Sequence, residues 1–153
     1  MEPRLSFQDV PAGWFDLMQS LETYLKKCGL SHQLLHLVKF RASQINGCGY
    51  CLDMHSKDAV KIGETPQRLY LLNAWQEAPV YSDAEKAVLN LTDTLTKIHE
   101  ADPELIAEAF EKVAKHFSKG EIANIVMLIN QINSWNRIAI TFGAVPGSYK
   151  VSV

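Results

Sequence analysis

Two cysteines and a histidine stand close together in the sequence, in the order Cys48, Cys51 and His55. On a helix of about 3.6 residues per turn these positions lie at about 0°, 300° and 340° around the axis, so the three side chains share one stripe. Asn46-Gly47 interrupts the preceding segment and places Cys48 at or near a helix N-terminus. Unpaired N–H groups and the positive end of the helix dipole favour a thiolate there, so we predict a lowered cysteine pKa.

This arrangement suits dithiol redox chemistry. One thiolate can act as a nucleophile, a second thiol can form a disulfide with it, and a histidine can move the protons. The spacing leaves open which thiol attacks. The helix terminus favours Cys48, whereas His55 lies one turn from Cys51 and favours that thiol instead.

A zinc site is the main alternative, because C-x-x-C with a nearby histidine is also a metal-ligand pattern. A structural zinc ion needs four converging ligands, and the chain offers only His36 as a fourth and has no second C-x-x-C. Two purely structural cysteines would leave the glycine-flanked helix start and His55 unexplained. We therefore predict neither a metal nor a cofactor. Cys28, behind an apolar stripe, is interpreted as a buried small hydrophobic residue without a role.

Composition limits the function classes. The chain has 153 residues, of which 47% are hydrophobic and 21% charged, which is typical of one globular domain over residues 1–153. A net charge of −2 gives no reason to expect nucleic acid or an anionic membrane surface as a partner. No apolar run has the length of a signal peptide or a membrane span, so we expect a soluble, cytoplasmic protein.

The rest of the chain predicts an all-α fold of six or seven helices. Apolar residues recur at spacings of three and four positions, which is typical of helices. Helix-capping or helix-breaking residues separate the segments. The first dozen residues lack this period and predict an extended surface arm. The last segment is apolar almost all round, which predicts burial in a bundle or at a subunit contact. The predicted helical segments, with their caps, are residues 14–28, 31–46, 48–63, 65–74, 82–101, 102–113 and 118–142.

Residues 39–59, KFRASQINGCGYCLDMHSKDA, resemble the core motif of the AhpD-like alkylhydroperoxidases, within the carboxymuconolactone decarboxylase superfamily. The resemblance is close over residues 31–63, and the later helical pattern is compatible with it. It implies an AhpD-like helical bundle that assembles as a trimer or hexamer. It also implies a redox-active C-x-x-C that reduces hydroperoxides, with Cys51 peroxidatic and Cys48 resolving. A dithiol donor, a lipoyl- or thioredoxin-like protein, would then recycle the pair.

The chain departs from this family at one position. A glutamate usually stands twelve residues before the first cysteine and shares a proton relay with the histidine, and this sequence has His36 there. A histidine can also act as a base near neutral pH, since its ordinary pKa is about 6.5. We therefore include His36 with Cys48, Cys51 and His55 as a candidate catalytic residue. The alternative is a surface histidine.

Three functions stay open on this basis. The first is a thiol peroxidase in antioxidant defence. The second is a lactone decarboxylase of the same superfamily, whose chemistry does not use a C-x-x-C pair. The third is a redox or partner-binding protein without peroxidase activity, in which His36 marks lost catalysis.

Overall fold

The computed structural model describes residues 2–11 and 13–151. Parts of the predicted domain and of the predicted arm, Met1, Ala12, Ser152 and Val153, lie outside the described residues. Within these ranges the fold is all-α, as predicted, with seven α-helices and no strand. The helices are α1 (Trp14–Lys27), α2 (His32–Asn46), α3 (Gly49–Lys61), α4 (Pro66–Leu71), α5 (Asp83–Thr96), α6 (Pro103–Ala114) and α7 (Lys119–Phe142).

Five helices begin where the sequence predicts. The side chains of Ser31, Thr65, Ser82, Asp102 and Ser118 each accept a hydrogen bond from a backbone N–H of the first turn. Two of them form complete capping boxes with a glutamate at the third helical position. Each cap contributes about 1 kcal/mol and fixes where its helix starts.

The last helix, α7, is the centre of the bundle and packs against α1, α2, α3, α5 and α6. Its side chains Ile125, Leu128, Ile129 and Ile132 are fully buried. The core of this one chain therefore explains most of the apolar character of α7, although Met127 and Ile140 are exposed. None of the helices in the described ranges combines the length and hydropathy that crossing a bilayer requires.

A buried polar corner joins α2, α3 and α7. Gly47 ends α2 in the left-handed region with φ 66°, which favours glycine. Asn46 Nδ2, in the last turn of α2, lies 2.8 Å from Asn133 Oδ1 and 2.9 Å from Asn136 Oδ1 on α7. These bonds hold the end of α2 against α7, so α3 starts at a fixed place beside the same helix.

The predicted extended arm is wrong over part of its length. Residues Phe7–Asp9 form a 3₁₀ turn, because Ser6 and Asp9 cap each other reciprocally. The Phe7 ring packs against Phe15, Trp135 and Phe142 at centroid distances of 5.4, 6.4 and 5.7 Å. The arm is therefore fixed to α1 and α7, although most of its residues are exposed.

The predicted helix over residues 82–101 is too long. Helix α5 ends at Thr96, and a separate 3₁₀ turn covers Ile98–Glu100. Leu105 and Phe110 follow the apolar pattern of the next predicted helix, over residues 102–113, but are exposed. The physical reason is that α6 lies at the edge of the bundle and buries only the narrow face that carries Ala109 and Val113.

Candidate active site

The cysteine pair lies where α3 begins, as the spacing predicts. Cys48 is the N-cap of α3, and its Sγ accepts a hydrogen bond from the backbone N–H of Cys51 at 3.4 Å. The two cysteines form a disulfide with their Cα atoms 5.3 Å apart. Their exposed fractions are only 1% and 4%, and they pack against Ala139 of α7. Cys28 lies away from this pair, half-buried against the main core.

The two candidate histidines face each other across α2 and α3. His55 stands one turn after Cys51 on the same helix, as the spacing predicts, and its side chain is buried. His36, on α2, is half-buried, and its ring centroid lies 6.0 Å from that of His55. The structure thus places His36 beside His55 rather than on an open surface.

Burial keeps both imidazoles neutral at physiological pH. Desolvation holds the pKa of His55 well below 6.5, and the positive charge of Lys39 and the neighbouring His36 lower it further. The pKa of His36 falls to about 4, again chiefly through burial and then through Lys39. A neutral imidazole can accept a proton or bind a metal ion, so both rings are ready for either task at pH 7.

The cation nearest to this pair has its own partner. Lys39 Nζ lies 2.5 Å from Glu22 Oε2, and both side chains are largely buried. Trp135 Nε1 donates to the other oxygen of the same carboxylate at 3.0 Å. The ion pair offsets the lysine charge beside the histidines, because a buried cation without a partner would be strongly unfavourable.

Asp58 joins the histidine pair, and sequence reasoning missed it. One donor atom each from His36, His55 and Asp58 lie within 4.8 Å of one another. Asp58 Oδ1 accepts a hydrogen bond from the Tyr149 hydroxyl at 2.8 Å. The three-residue spacing from His55 could have identified Asp58, since positions i and i+3 share a helix face. No local pattern signals Tyr149, which comes from the other end of the chain.

Residues 144–151, here called the C-terminal tail, fold back over the start of α3. Ala144 packs against the cluster of Cys48, Cys51 and Ala139, and Gly147 N donates to Asp53 at 3.1 Å. Lys57 Nζ donates to the Tyr149 carbonyl oxygen at 2.9 Å. The tail thus covers the disulfide and is anchored along one side of α3.

Gly49 permits this close approach. A Cβ atom at position 49 would lie only 2.9 Å from Pro146 Cγ, closer than real contacts allow. The glycine between the two cysteines therefore gives the tail room to lie directly on the first turn of α3.

An open groove of about 760 Å³ runs along the outer face of α3 and α4. It is lined mainly by apolar side chains and passes Ser56, the residue after His55. The rings of Phe40 and Tyr70 and the side chain of Val60 contribute to its walls. Lys57 and Lys61 also line the groove, so an organic molecule with an apolar body and a polar or anionic group fits this lining.

Comparison with known proteins identifies the family. The model of the carboxymuconolactone decarboxylase family matches residues 8–94, which is more than half of the chain and includes α2 and α3. The chain belongs to the carboxymuconolactone decarboxylase family. The AhpD-like resemblance noted from residues 39–59 is thereby confirmed at the level of family and fold.

Two bacterial proteins have sequences similar to this chain. The uncharacterized protein YdfG of Bacillus subtilis (strain 168) is 40% identical over 143 residues, covering 94% of this chain and 96% of YdfG. A crystal structure from Agrobacterium tumefaciens is 38% identical, with a TM-score of 0.89 over 97% of this chain and 100% of the other. That protein is described as of unknown function and carries the name of the antioxidant defence protein AhpD.

A more distant structure shows the fold alone. The debrominase Bmp8 is 18% identical, with a TM-score of 0.77 over 87% of this chain and 70% of Bmp8. The same helical arrangement therefore persists in proteins of very different sequence.

We predict that acidification destabilises the protein and that His36 accounts for part of the loss. The pKa of His36 in the folded protein, about 4, lies below its ordinary value of 6.5. Between these values the unfolded chain binds more protons, so the free energy of unfolding rises with pH. The stability present above pH 6.5 is lost as the pH falls through 4. Urea unfolding at a series of pH values measures this slope.

His36→Gln should flatten the slope by less than about 1.4 kcal/mol per pH unit, because the ring is partly exposed. The charges that face the ring, Lys39 and Asp58 among them, remain in the variant. The control is His99→Gln, since the side chain of His99 is 78% exposed. It should keep the wild-type slope. Identical slopes for all three proteins would contradict the prediction.

Proposed function

We propose that this protein is a thiol peroxidase that reduces organic hydroperoxides in antioxidant defence. The observation that carries the proposal is the Cys48–Cys51 disulfide at the first turn of α3, one turn before the buried His55. The family and the name carried by the Agrobacterium relative support a peroxide-related function. The dithiol also argues against the lactone decarboxylase alternative, whose chemistry does not use it.

The reaction starts from the reduced pair. The neutral imidazole of His55 takes the proton of Cys51, and the thiolate attacks one oxygen of the hydroperoxide. The O–O bond breaks, Cys51 becomes a sulfenic acid, and the alkoxide receives a proton and leaves as an alcohol. The Cys48 thiol then attacks the Cys51 sulfur, which forms the disulfide and releases water.

Cys51 is the better candidate for the attacking thiol. His55 is one helical turn from it, and the family resemblance assigns it the same role. Cys48 caps the helix, where its sulfur accepts the N–H of Cys51. That position holds the resolving sulfur close to the attacking one.

His36 acts as the second member of the proton relay. Its ring lies beside His55, at the position where the family usually has a glutamate. Because burial keeps His36 neutral, it can accept a proton that His55 releases and return it. The pair of imidazoles thus replaces the usual pair of carboxylate and imidazole.

The reductant is a dithiol donor, lipoyl- or thioredoxin-like. Two electrons and two protons from its dithiol return Cys48 and Cys51 to thiols, and its own disulfide forms in exchange. Because the tail covers the disulfide, a slender dithiol group reaches it more readily than a broad protein surface does.

We predict that peroxidase activity depends on both cysteines of the pair. Cys48→Ser and Cys51→Ser should each lower the turnover of cumene hydroperoxide by at least about 100-fold, since neither half of the dithiol completes the cycle alone. A coupled assay with dihydrolipoamide as the electron donor measures the rate.

Cys28→Ser is the control, because Cys28 lies outside the pair and should leave the rate unchanged. Full turnover in either serine variant of the pair would refute the mechanism. Reversible disulfide formation in the wild type without peroxide consumption would instead support the redox or partner-binding alternative.

A second prediction concerns His36. His36→Ala should lower turnover by about 10- to 100-fold, because the relay loses its second base. His36→Glu should restore part of the rate with a shifted pH profile, since it recreates the usual family residue. Rates for the three proteins that agree across pH 5 to 8 would exclude His36 from the relay.

We also propose a closed homo-oligomer, a trimer or hexamer. The apolar sequence of α7 is no longer an argument for a subunit contact, because this helix is largely buried within one chain. Two other arguments for an assembly remain. The family resemblance implies such an assembly. In addition, the side chains of Leu17 and Tyr70 are 73% and 76% exposed, so they are available to a subunit contact.

Sedimentation equilibrium at micromolar concentration should therefore show a mass of three or six chains, each of 17.2 kDa. Tyr70→Glu places a charge at the apolar groove and should shift the mass toward the monomer if that surface is the contact. A wild-type protein that sediments as one chain would refute the assembly.

A further inference from the structure

Three metal-ligating side chains converge beside the disulfide. His55 and Asp58 share one face of α3, and His36 meets them from α2. Their donor atoms lie within 4.8 Å of one another. We propose that His36, His55 and Asp58 together bind one divalent transition-metal ion of the zinc class. This site goes beyond peroxide reduction and does not rest on it.

The hydrogen bonding of the histidines supports a ligand. Among the described residues, neither His36 Nδ1 nor His55 Nδ1 has a hydrogen-bond partner, although both atoms are buried. An unpaired buried polar nitrogen is unfavourable, because it has lost its hydrogen bonds to water without replacing them. An ion bound to either ring gains a ligand and fixes which nitrogen of that ring carries the proton.

The carboxylate is oriented by its neighbour. The Tyr149 hydroxyl donates to Asp58 Oδ1 at 2.8 Å. Metal-binding carboxylates are usually held in this way by a second hydrogen bond, which lowers the cost of fixing them around an ion. The C-terminal tail that covers the disulfide therefore also supports this site.

The charge balance suits a divalent cation. Two neutral imidazoles and one carboxylate are a common ligand set for catalytic zinc and for non-haem iron. The positive charge of the nearby Lys39 would oppose an ion, but the ion pair with Glu22 at 2.5 Å offsets it. Three protein ligands also leave a coordination position for water or another small ligand.

The distances require only small movements. Zinc bonds of about 2.0–2.1 Å place neighbouring donors roughly 3.3 Å apart. Donors that now lie within 4.8 Å reach that spacing when each side chain moves by about 1 Å, which rotation about side-chain bonds supplies.

Metal binding and the peroxidase relay would then compete for the same rings. An ion on His55 occupies the lone pair that accepts the thiol proton. The ion would therefore slow peroxide reduction in a protein that carries it, and the two functions can be tested separately.

The test uses the oxidised protein on a Cys28→Ser background, so that no free thiol can bind metal. Isothermal titration with zinc chloride at neutral pH should show one ion per chain. Asp58→Asn and His36→Gln should each weaken binding by at least about tenfold. Asp58→Asn retains an acceptor for the Tyr149 hydroxyl, so its fold should survive even if the histidine variant unfolds.

Two controls match these variants. Asp53→Asn also removes a carboxylate from α3 that anchors the tail, and His99→Gln removes an exposed histidine. Both should bind zinc as the parent does. Cobalt(II) in place of zinc should give visible ligand-field bands without a thiolate charge-transfer band.

Absence of zinc binding would overturn the proposal. Binding that survives both Asp58→Asn and His36→Gln would overturn it as well, since it would place the ion elsewhere. Cobalt(II) that gives no ligand-field bands of a bound ion would refute it too. Peroxidase activity is not measured, so a failure here leaves the peroxidase proposal standing, and a failure of that proposal leaves the metal site standing.

Discussion

The bonds from Asn46 to two asparagines of α7 determine how the site is built. Buried amides are strongly unfavourable when unpaired, so the end of α2 has one well-satisfied position against α7. Gly47 then reverses the chain in a left-handed turn, and Cys48 must start α3 beside α7. With α3 fixed, His55 faces α2 and meets His36. This corner therefore positions the dithiol and the histidine pair. It also positions the surface of α3 on which the C-terminal tail lies.

Burial at the same corner sets the chemistry. The low exposure of the site lowers the pKa values of His36 and His55, so both rings are neutral at neutral pH and each carries one N–H and one nitrogen with a free lone pair. A cation inside such a region needs an anion, and the pair of Lys39 with Glu22 meets that need. The site therefore contains two cysteine sulfurs and two neutral imidazoles that are largely shielded from solvent. One carboxylate, that of Asp58, lies beside the imidazoles.

Much of the fold follows from local signals. Cap residues and hydrophobic periodicity locate every helix, since each signal acts within one or two turns. The cysteine spacing likewise locates the dithiol at a helix start. Failures begin where the deciding contact is distant in sequence. The exposure of Phe110 depends on the edge position of α6, and Asp58 acquires its significance only through His36 and Tyr149, which lie far from it along the chain.

The tail also makes access to the disulfide a pre-equilibrium. Its three polar anchors to Asp53, Lys57 and Asp58 must break before the tail can leave α3, so the closed form is favoured. A small reagent that slips past the closed tail reacts at the intrinsic rate of the sulfur. A large reagent reacts at that rate multiplied by the open fraction. The ratio of the large reagent's rate to the small reagent's rate, each relative to its intrinsic rate, therefore gives the equilibrium constant for tail opening.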